Sequence, residues 1–201
     1  HQGCFDLSYL TMMPNMTVMA PKNGRELEKM MEFAVHAAGP CAIRYPRGTA
    51  YQGLEEFESP VRYGKSEILY RGKDTAILSV GSMTEVCEQV YKEMKNRGEE
   101  PTFVNARFVK PLDTELLDEL AKDHKLFVTV EENVKNGGFG EHVESFILEE
   151  ELPMNVVNIS IPDCYVEHGN VELLKQEVGI DADTVYRRVM DEIRKQENEE
   201  V

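Results

Sequence analysis

Short apolar runs alternate with stretches of helical period along almost the whole of this chain, and that alternation leaves few folds open to it. Met16–Met19 is a short apolar strand stopped by Pro21. Asn23 can cap the helix that follows, with Glu26 in box-like spacing, and Leu27, Met30, Met31 and Ala34 recur on one face. Gly39-Pro40 closes that helix and Cys41-Ala42-Ile43 is the next strand. Further on, Lys65–Tyr70 and Thr75–Val80 flank Arg71-Gly72-Lys73-Asp74, a hairpin signal. Ser82 or Thr84 can cap a helix with Met83, Val86, Cys87, Val90, Tyr91 and Met94 facing inward. Thr102–Val104, Leu126–Val130 and Val156–Ile159 are strands, and residues 113–122, 140–148 and a tail from about Asp183 are helices. The run at Leu126 barely alternates, as expected where both faces are covered. The expected fold is therefore α/β, a mostly parallel sheet flanked by helices, with the first hairpin strand as an antiparallel edge.

The series is not evenly shared. Residues 1–48 supply one strand–helix–strand unit, too little to close a sheet, and are expected to be the tail of a domain whose body lies upstream. Residues 49–60, with Gly53, a Glu-Glu pair and Pro60, are the expected linker. Residues 61–201 supply the full series and are the expected independent domain.

Charge and cysteine usage narrow the partners. A formal net charge of -15 argues against nucleic acid, because phosphate-backbone binding needs a basic face. No apolar run approaches the ~20 residues of a membrane span, and no basic-then-apolar signal opens the chain. Cys4, Cys41, Cys87 and Cys164 are scattered, without a CxxC pair or a cluster with histidine, so free thiols in a reducing cytoplasm are expected.

Against that acidic background, Arg44-Tyr45-Pro46-Arg47-Gly48 stands out. Pro46 fixes its own φ and pushes Tyr45 toward an extended conformation, and Gly48 permits a sharp turn. A guanidinium held there suits forked recognition of a phosphate or carboxylate. The chain also opens His1-Gln2-Gly3-Cys4-Phe5-Asp6-Leu7-Ser8-Tyr9-Leu10 and carries Arg107-Phe108-Val109-Lys110-Pro111, Val130-Glu131-Glu132-Asn133 and Gly137-Gly138-Phe139-Gly140. Near its end stands Ile161-Pro162-Asp163-Cys164-Tyr165-Val166-Glu167-His168-Gly169. In this order these motifs resemble the C-terminal part of the 1-deoxy-D-xylulose-5-phosphate synthase family, thiamine-diphosphate enzymes of the transketolase superfamily. The resemblance runs from His1 to about Arg194. It implies a transketolase C-terminal domain preceded by the tail of a pyrimidine-binding domain, with most of the parent enzyme upstream.

What the resemblance implies for activity is condensation of pyruvate with glyceraldehyde 3-phosphate, with loss of carbon dioxide, for isoprenoid, thiamine and pyridoxal synthesis. Thiamine diphosphate and Mg²⁺ would be bound by upstream regions, so this chain alone is expected to be inactive. The expected partners are the upstream part of the same enzyme and a second subunit in a homodimer. His1 would face the cofactor and donor substrate, where an imidazole can move protons or hydrogen-bond a developing oxyanion. Arg47 would meet the acceptor's phosphate. Arg44 is a second candidate donor, although residues three apart in an extended segment face opposite sides, which favours a structural ion pair. Asp6 and Ser8 would order the loop after His1. His36 and His142 are expected exposed on helices, His124 in the last turn of its helix, and His168 in a structural or interface loop. Glycine spacing in Gly137–Gly140 does not match a dinucleotide site, and that loop is expected to pack on a neighbouring domain or subunit. The alternatives are a transketolase or two-oxoacid dehydrogenase β-subunit fragment, or a non-catalytic module for domain packing and dimerisation.

Overall fold

The computed structural model describes residues 3–199. The N-terminal segment contributes α1 (Asp6–Thr11), β1 (Thr17–Met19), α2 (Gly24–His36) and β2 (Cys41–Ile43). There follow β3 (Glu67–Tyr70), β4 (Asp74–Ser79), α3 (Met83–Asn96), β5 (Thr102–Asn105), β6 (Phe108–Lys110), α4 (Thr114–Leu120), β7 (His124–Val134), α5 (Phe139–Glu149), β8 (Asn155–Ile161), α6 (Val171–Val178) and α7 (Ala182–Glu199).

Five strands form the main sheet in the order β3-β5-β4-β7-β8, all parallel except β3, which runs antiparallel to β5. Strand alternation sorts its core into two layers. Ile77, Val128 and Ile159 meet Val86 and Val90 of α3 and Val185 and Val189 of α7 on one face. Ala76, Leu78 and Phe127 meet Leu117 of α4, Val143 of α5 and, from the N-terminal segment, Leu7, Val18 and Ala20 on the other. Leu7, Val18 and Ala20 are fully buried, and each Leu- or Val-sized side chain so covered contributes about 1.5–3 kcal/mol. The N-terminal segment is thus part of the core that covers the sheet.

The sequence places most of these elements correctly, and the exceptions have identifiable causes. β3 and β4 do not form a hairpin; β5 lies between them. Four of the last five residues of β4 are apolar or small and all are buried, which suits a central strand, whereas β3 alternates buried and half-buried and suits an edge. Glycine 72 turns the chain against β5, its N–H donating to Thr102 Oγ1 at 2.9 Å. Residues 6–11, expected as loop, are helical, and Lys110 Nζ donates to the carbonyls of Thr11 and Met13 at its C-terminal end. The strand β6 has no clear signal in the sequence. It pairs antiparallel with β1, and β1 pairs parallel with β2, giving a second, three-stranded sheet.

That pairing is reinforced by a buried ionic cluster. Glu26 lies in α2, where Asn23 Oδ1 caps its N–H at 3.0 Å. Its carboxylate does not complete a capping box. It accepts from Lys22 N, from Lys22 Nζ at 3.2 Å, from Asn105 Nδ2 at 2.9 Å and from Arg107 Nε at 2.6 Å. Lys22 Nζ also lies 2.7 Å from Glu67, and Arg107 Nη2 3.0 Å from Glu67. Two cations and two carboxylates are therefore balanced in the interior. Lys22 and Glu26 come from the N-terminal segment, and Glu67 and Arg107 from beyond residue 60. Burial alone would push the Glu67 carboxyl up, but Lys22, Ser59 and Arg107 together hold it below the usual carboxylate range.

Candidate functional site

The Arg44–Gly48 turn leaves the end of β2, with Arg44 N donating to Met19 O at 2.8 Å. Gly48 takes a φ of +129°, a conformation that favours glycine. Arg47 is exposed and, among the described residues, has no hydrogen bond or ion pair. Arg44 is used internally. Its Nη2 donates to the carbonyls of Gly3 at 3.1 Å and Glu132 at 3.0 Å. Its guanidinium also lies 3.7 Å from a carboxylate oxygen of Asp6 and 3.7 Å from one of Glu132. The two arginines of the motif are therefore differently placed: one tied to backbone carbonyls, one free to meet a ligand. His1 lies outside the described residues.

The strand end Glu131–Val134 organises the surroundings. Glu131 is fully buried and accepts from Phe139 N and Gly140 N, both at 2.8 Å, at the start of α5. Burial pushes its carboxyl up to about 7, against those two backbone N–H bonds, which pull it down. A Cβ at Gly138 would lie 2.6 Å from the Glu131 carboxylate, and one at Gly140 would lie 2.3 Å from the Asn158 side chain. The glycines thus serve close approach of α5 to the sheet, and two amides at the helix N-terminus are already taken by a side chain of this chain. Asn133 Oδ1 accepts from Leu7 N at 3.2 Å, and its Nδ2 donates to Ser8 Oγ at 2.7 Å. Ser8 Oγ in turn donates to Asn136 O at 2.6 Å. The loop after β7 packs on the N-terminal segment.

Among the other histidines, His36 and His168 are exposed. His142 is half-buried, and burial holds its imidazole below the usual range, with Lys110 acting in the same direction and Glu141 opposing. His124 is not in the last turn of a helix but opens β7, buried, with Nε2 on Thr102 Oγ1 at 2.8 Å and Nδ1 on Leu120 O at 2.9 Å. Cys4 and Cys87 are buried, Cys41 is half-buried and Cys164 is exposed, and all four are free. Among the described residues no group of three or more His, Cys, Asp or Glu could hold a metal ion. No described helix is long and apolar enough to cross a membrane.

What local pattern does not reveal is the pairing of residues far apart. Glu26 reads as a helix cap, yet its carboxylate reaches Asn105 and Arg107. Glu132 reads as a strand-end charge, yet it holds Arg44 and accepts from Ser82 Oγ at 2.6 Å. The available signal was modest: ionisable residues set directly against apolar runs.

The family model for the transketolase C-terminal domain matches residues 64–185, and that for the transketolase pyrimidine binding domain matches residues 1–52. The chain is 48% identical over 190 residues to 1-deoxy-D-xylulose-5-phosphate synthase of Lachnoclostridium phytofermentans, covering 94% of this chain and 30% of the relative. It is 40% identical over 198 residues to the enzyme of that name from Aquifex aeolicus, covering 96% and 31%. The chain thus spans about three tenths of the length of these curated relatives. Among solved structures, a split-gene transketolase described as an inactive β4 tetramer superposes with a TM-score of 0.81 at 30% identity, covering 92% of this chain and 60% of that one. A transketolase from Campylobacter jejuni superposes with a TM-score of 0.64 over 94% of this chain and 28% of its own; at 17% identity it speaks to the fold alone.

Proposed function

Because this chain belongs to the transketolase C-terminal domain family, we propose that it is the C-terminal part of a 1-deoxy-D-xylulose-5-phosphate synthase. In this reading, residues 1–48 end a pyrimidine-binding domain, residues 49–60 link, and residues 61–201 are the C-terminal domain. The whole enzyme condenses pyruvate with glyceraldehyde 3-phosphate and releases carbon dioxide. It works in the cytoplasm as a homodimer, and its product feeds isoprenoid, thiamine and pyridoxal synthesis. Thiamine diphosphate supplies the carbanion chemistry when bound. In this reading thiamine diphosphate and Mg²⁺ are held by upstream regions of the enzyme.

The parts left to this chain are binding and proton management. Arg47 anchors the acceptor's phosphate, and His1 hydrogen-bonds or protonates the oxygen at which charge develops. Arg44 serves the same site from behind the turn. The observation that carries the reading is the contrast between the two arginines: an anion-binding fork presented on a proline–glycine turn with its own charge unspent, beside a twin that is fully occupied.

Arg47→Ala in the full-length enzyme tests it. Losing a charge-assisted forked contact costs about 1.5–3 kcal/mol, so the KM for glyceraldehyde 3-phosphate should rise roughly 10- to 150-fold while that for pyruvate stays near its original value. Equal rises for both substrates would remove the phosphate-anchor role.

A further inference from the structure

Both segments that carry the proposed site residues are fastened to the same strand end. Arg44, only 9% exposed at its side chain, bridges them: its Nη2 donates to Gly3 O, in the segment after His1, and to Glu132 O at the end of β7. The Ser82 hydroxyl, at the start of α3, donates at 2.6 Å to the same Glu132 carboxylate oxygen that faces Arg44. The segment after His1 is fastened again where Val134 N donates to Cys4 O at 2.8 Å and where Asn133 accepts from Leu7 N and donates to Ser8 Oγ. Gly3 is two residues from His1, and Arg44 three from Arg47. The joint therefore holds the described chain next to each of the two proposed site residues.

We propose that Arg44 and Glu132 form a positioning clamp, through which the end of β7 fixes the His1 segment against the Arg47 turn, with Arg44 holding both and touching no substrate. The proposal rests on the reading of His1 and Arg47 given above. Its chemistry is particular to arginine. One guanidinium nitrogen, Nη2, donates to both backbone carbonyls, while Nε lies 3.7 Å from the Asp6 carboxylate and Nη1 3.7 Å from that of Glu132. A lysine keeps the charge but brings one nitrogen where arginine brings three, so it cannot serve the two carbonyls and face both carboxylates at once. A neutral replacement leaves two carboxylates facing each other and two carbonyls without their donor. The clamp also gives residues 61–199 a part in the reaction beyond packing, since Glu132 and Ser82 both lie there.

The test uses the full-length enzyme with Arg44→Lys, Glu132→Gln, the double variant, and Arg47→Ala as reference. A displacement of about 1 Å at a reacting centre costs on the order of 100-fold, so Arg44→Lys should lower kcat by roughly 10- to 100-fold while leaving the KM for the phosphorylated aldehyde close to its original value. Glu132→Gln should lower kcat in the same sense, and the double variant should be scarcely worse than Arg44→Lys, because both act through one joint. Hydrogen exchange should quicken at the amides of residues 4–8 in both single variants, with α3 and α7 unchanged. A rise in that KM matching Arg47→Ala would make Arg44 a ligand and overturn the proposal. Additive losses, or unchanged exchange at residues 4–8, would also overturn it. Should Arg44→Lys fail to fold, exchange and kcat in Glu132→Gln decide alone. If Arg47→Ala spares the KM while the coupling and the exchange behave as expected, the phosphate-anchor reading fails and the clamp stands.

Discussion

Replacing Glu26 by glutamine removes one charge from a buried set of four, and the structure fixes what is left behind. The Glu26 side chain is 1% exposed. Its carboxylate serves Lys22 N, Lys22 Nζ, Asn105 Nδ2 and Arg107 Nε. Without that charge, Lys22 and Arg107 share Glu67 alone, and the amide of a glutamine presents donors to donors. Breaking a buried pair by removing one partner costs about 3–5 kcal/mol, because the remaining charge is left uncompensated. At about 2–4 °C per kcal/mol for a chain of this size, the melting temperature should fall by roughly 6–20 °C. Urea unfolding followed by circular dichroism measures the loss directly. The double variant Glu26→Met with Arg107→Met removes one cation and one anion and leaves Lys22 beside Glu67 at 2.7 Å, so it should recover part of the loss. A glutamine variant within about 1 kcal/mol of the wild type, or a double variant less stable than the single one, would refute the view that charge balance in this cluster holds the N-terminal segment to the main sheet.

Two further outcomes follow from the strand end at Glu131. Its folded carboxyl lies at about 7 against an ordinary 4.5, so the folded chain holds a proton that the unfolded chain releases between those values. Stability should therefore decline by at most about 3 kcal/mol as pH rises through that window, seen in urea midpoints from pH 5 to 8, and Glu131→Gln should flatten the slope. The depressed carboxyl of Glu67 acts in the opposite sense, its contribution being present above the ordinary carboxylate range and lost as pH falls through its folded value. Gly138→Ala should cost about 1–3 kcal/mol in urea unfolding, since the new Cβ would lie 2.6 Å from the buried carboxylate; an unchanged midpoint would show that α5 yields without strain.

The parts of this molecule that the sequence discloses are those governed by near neighbours. The α2 cap at Asn23, the inward face of α3 and the two-sided burial of β7 all follow from spacing within a few residues. The hairpin expectation failed because chain proximity made β3 and β4 look paired, whereas burial on both faces drew β4 to the centre of the sheet. Helix α1 and strand β6 were not legible because each is short and owes its place to tertiary partners: Asn133 and Lys110 for the helix, β1 for the strand. The Arg44–Gly48 turn was legible as an anion-binding candidate. The division of labour between its arginines was foreshadowed by their opposite faces, while the partners of Arg44, 88 residues away at Glu132, carry no local signal.

Reconstitution tests the central claim most directly. This chain and the upstream region of its enzyme are expressed separately and together, and formation of 1-deoxy-D-xylulose 5-phosphate from pyruvate and glyceraldehyde 3-phosphate is followed with added thiamine diphosphate and Mg²⁺. The account predicts no product and no saturable binding of thiamine diphosphate with this chain alone, and both when the upstream region is supplied. Product from this chain alone, or a reconstituted enzyme that takes a ketose donor in place of pyruvate, would contradict it.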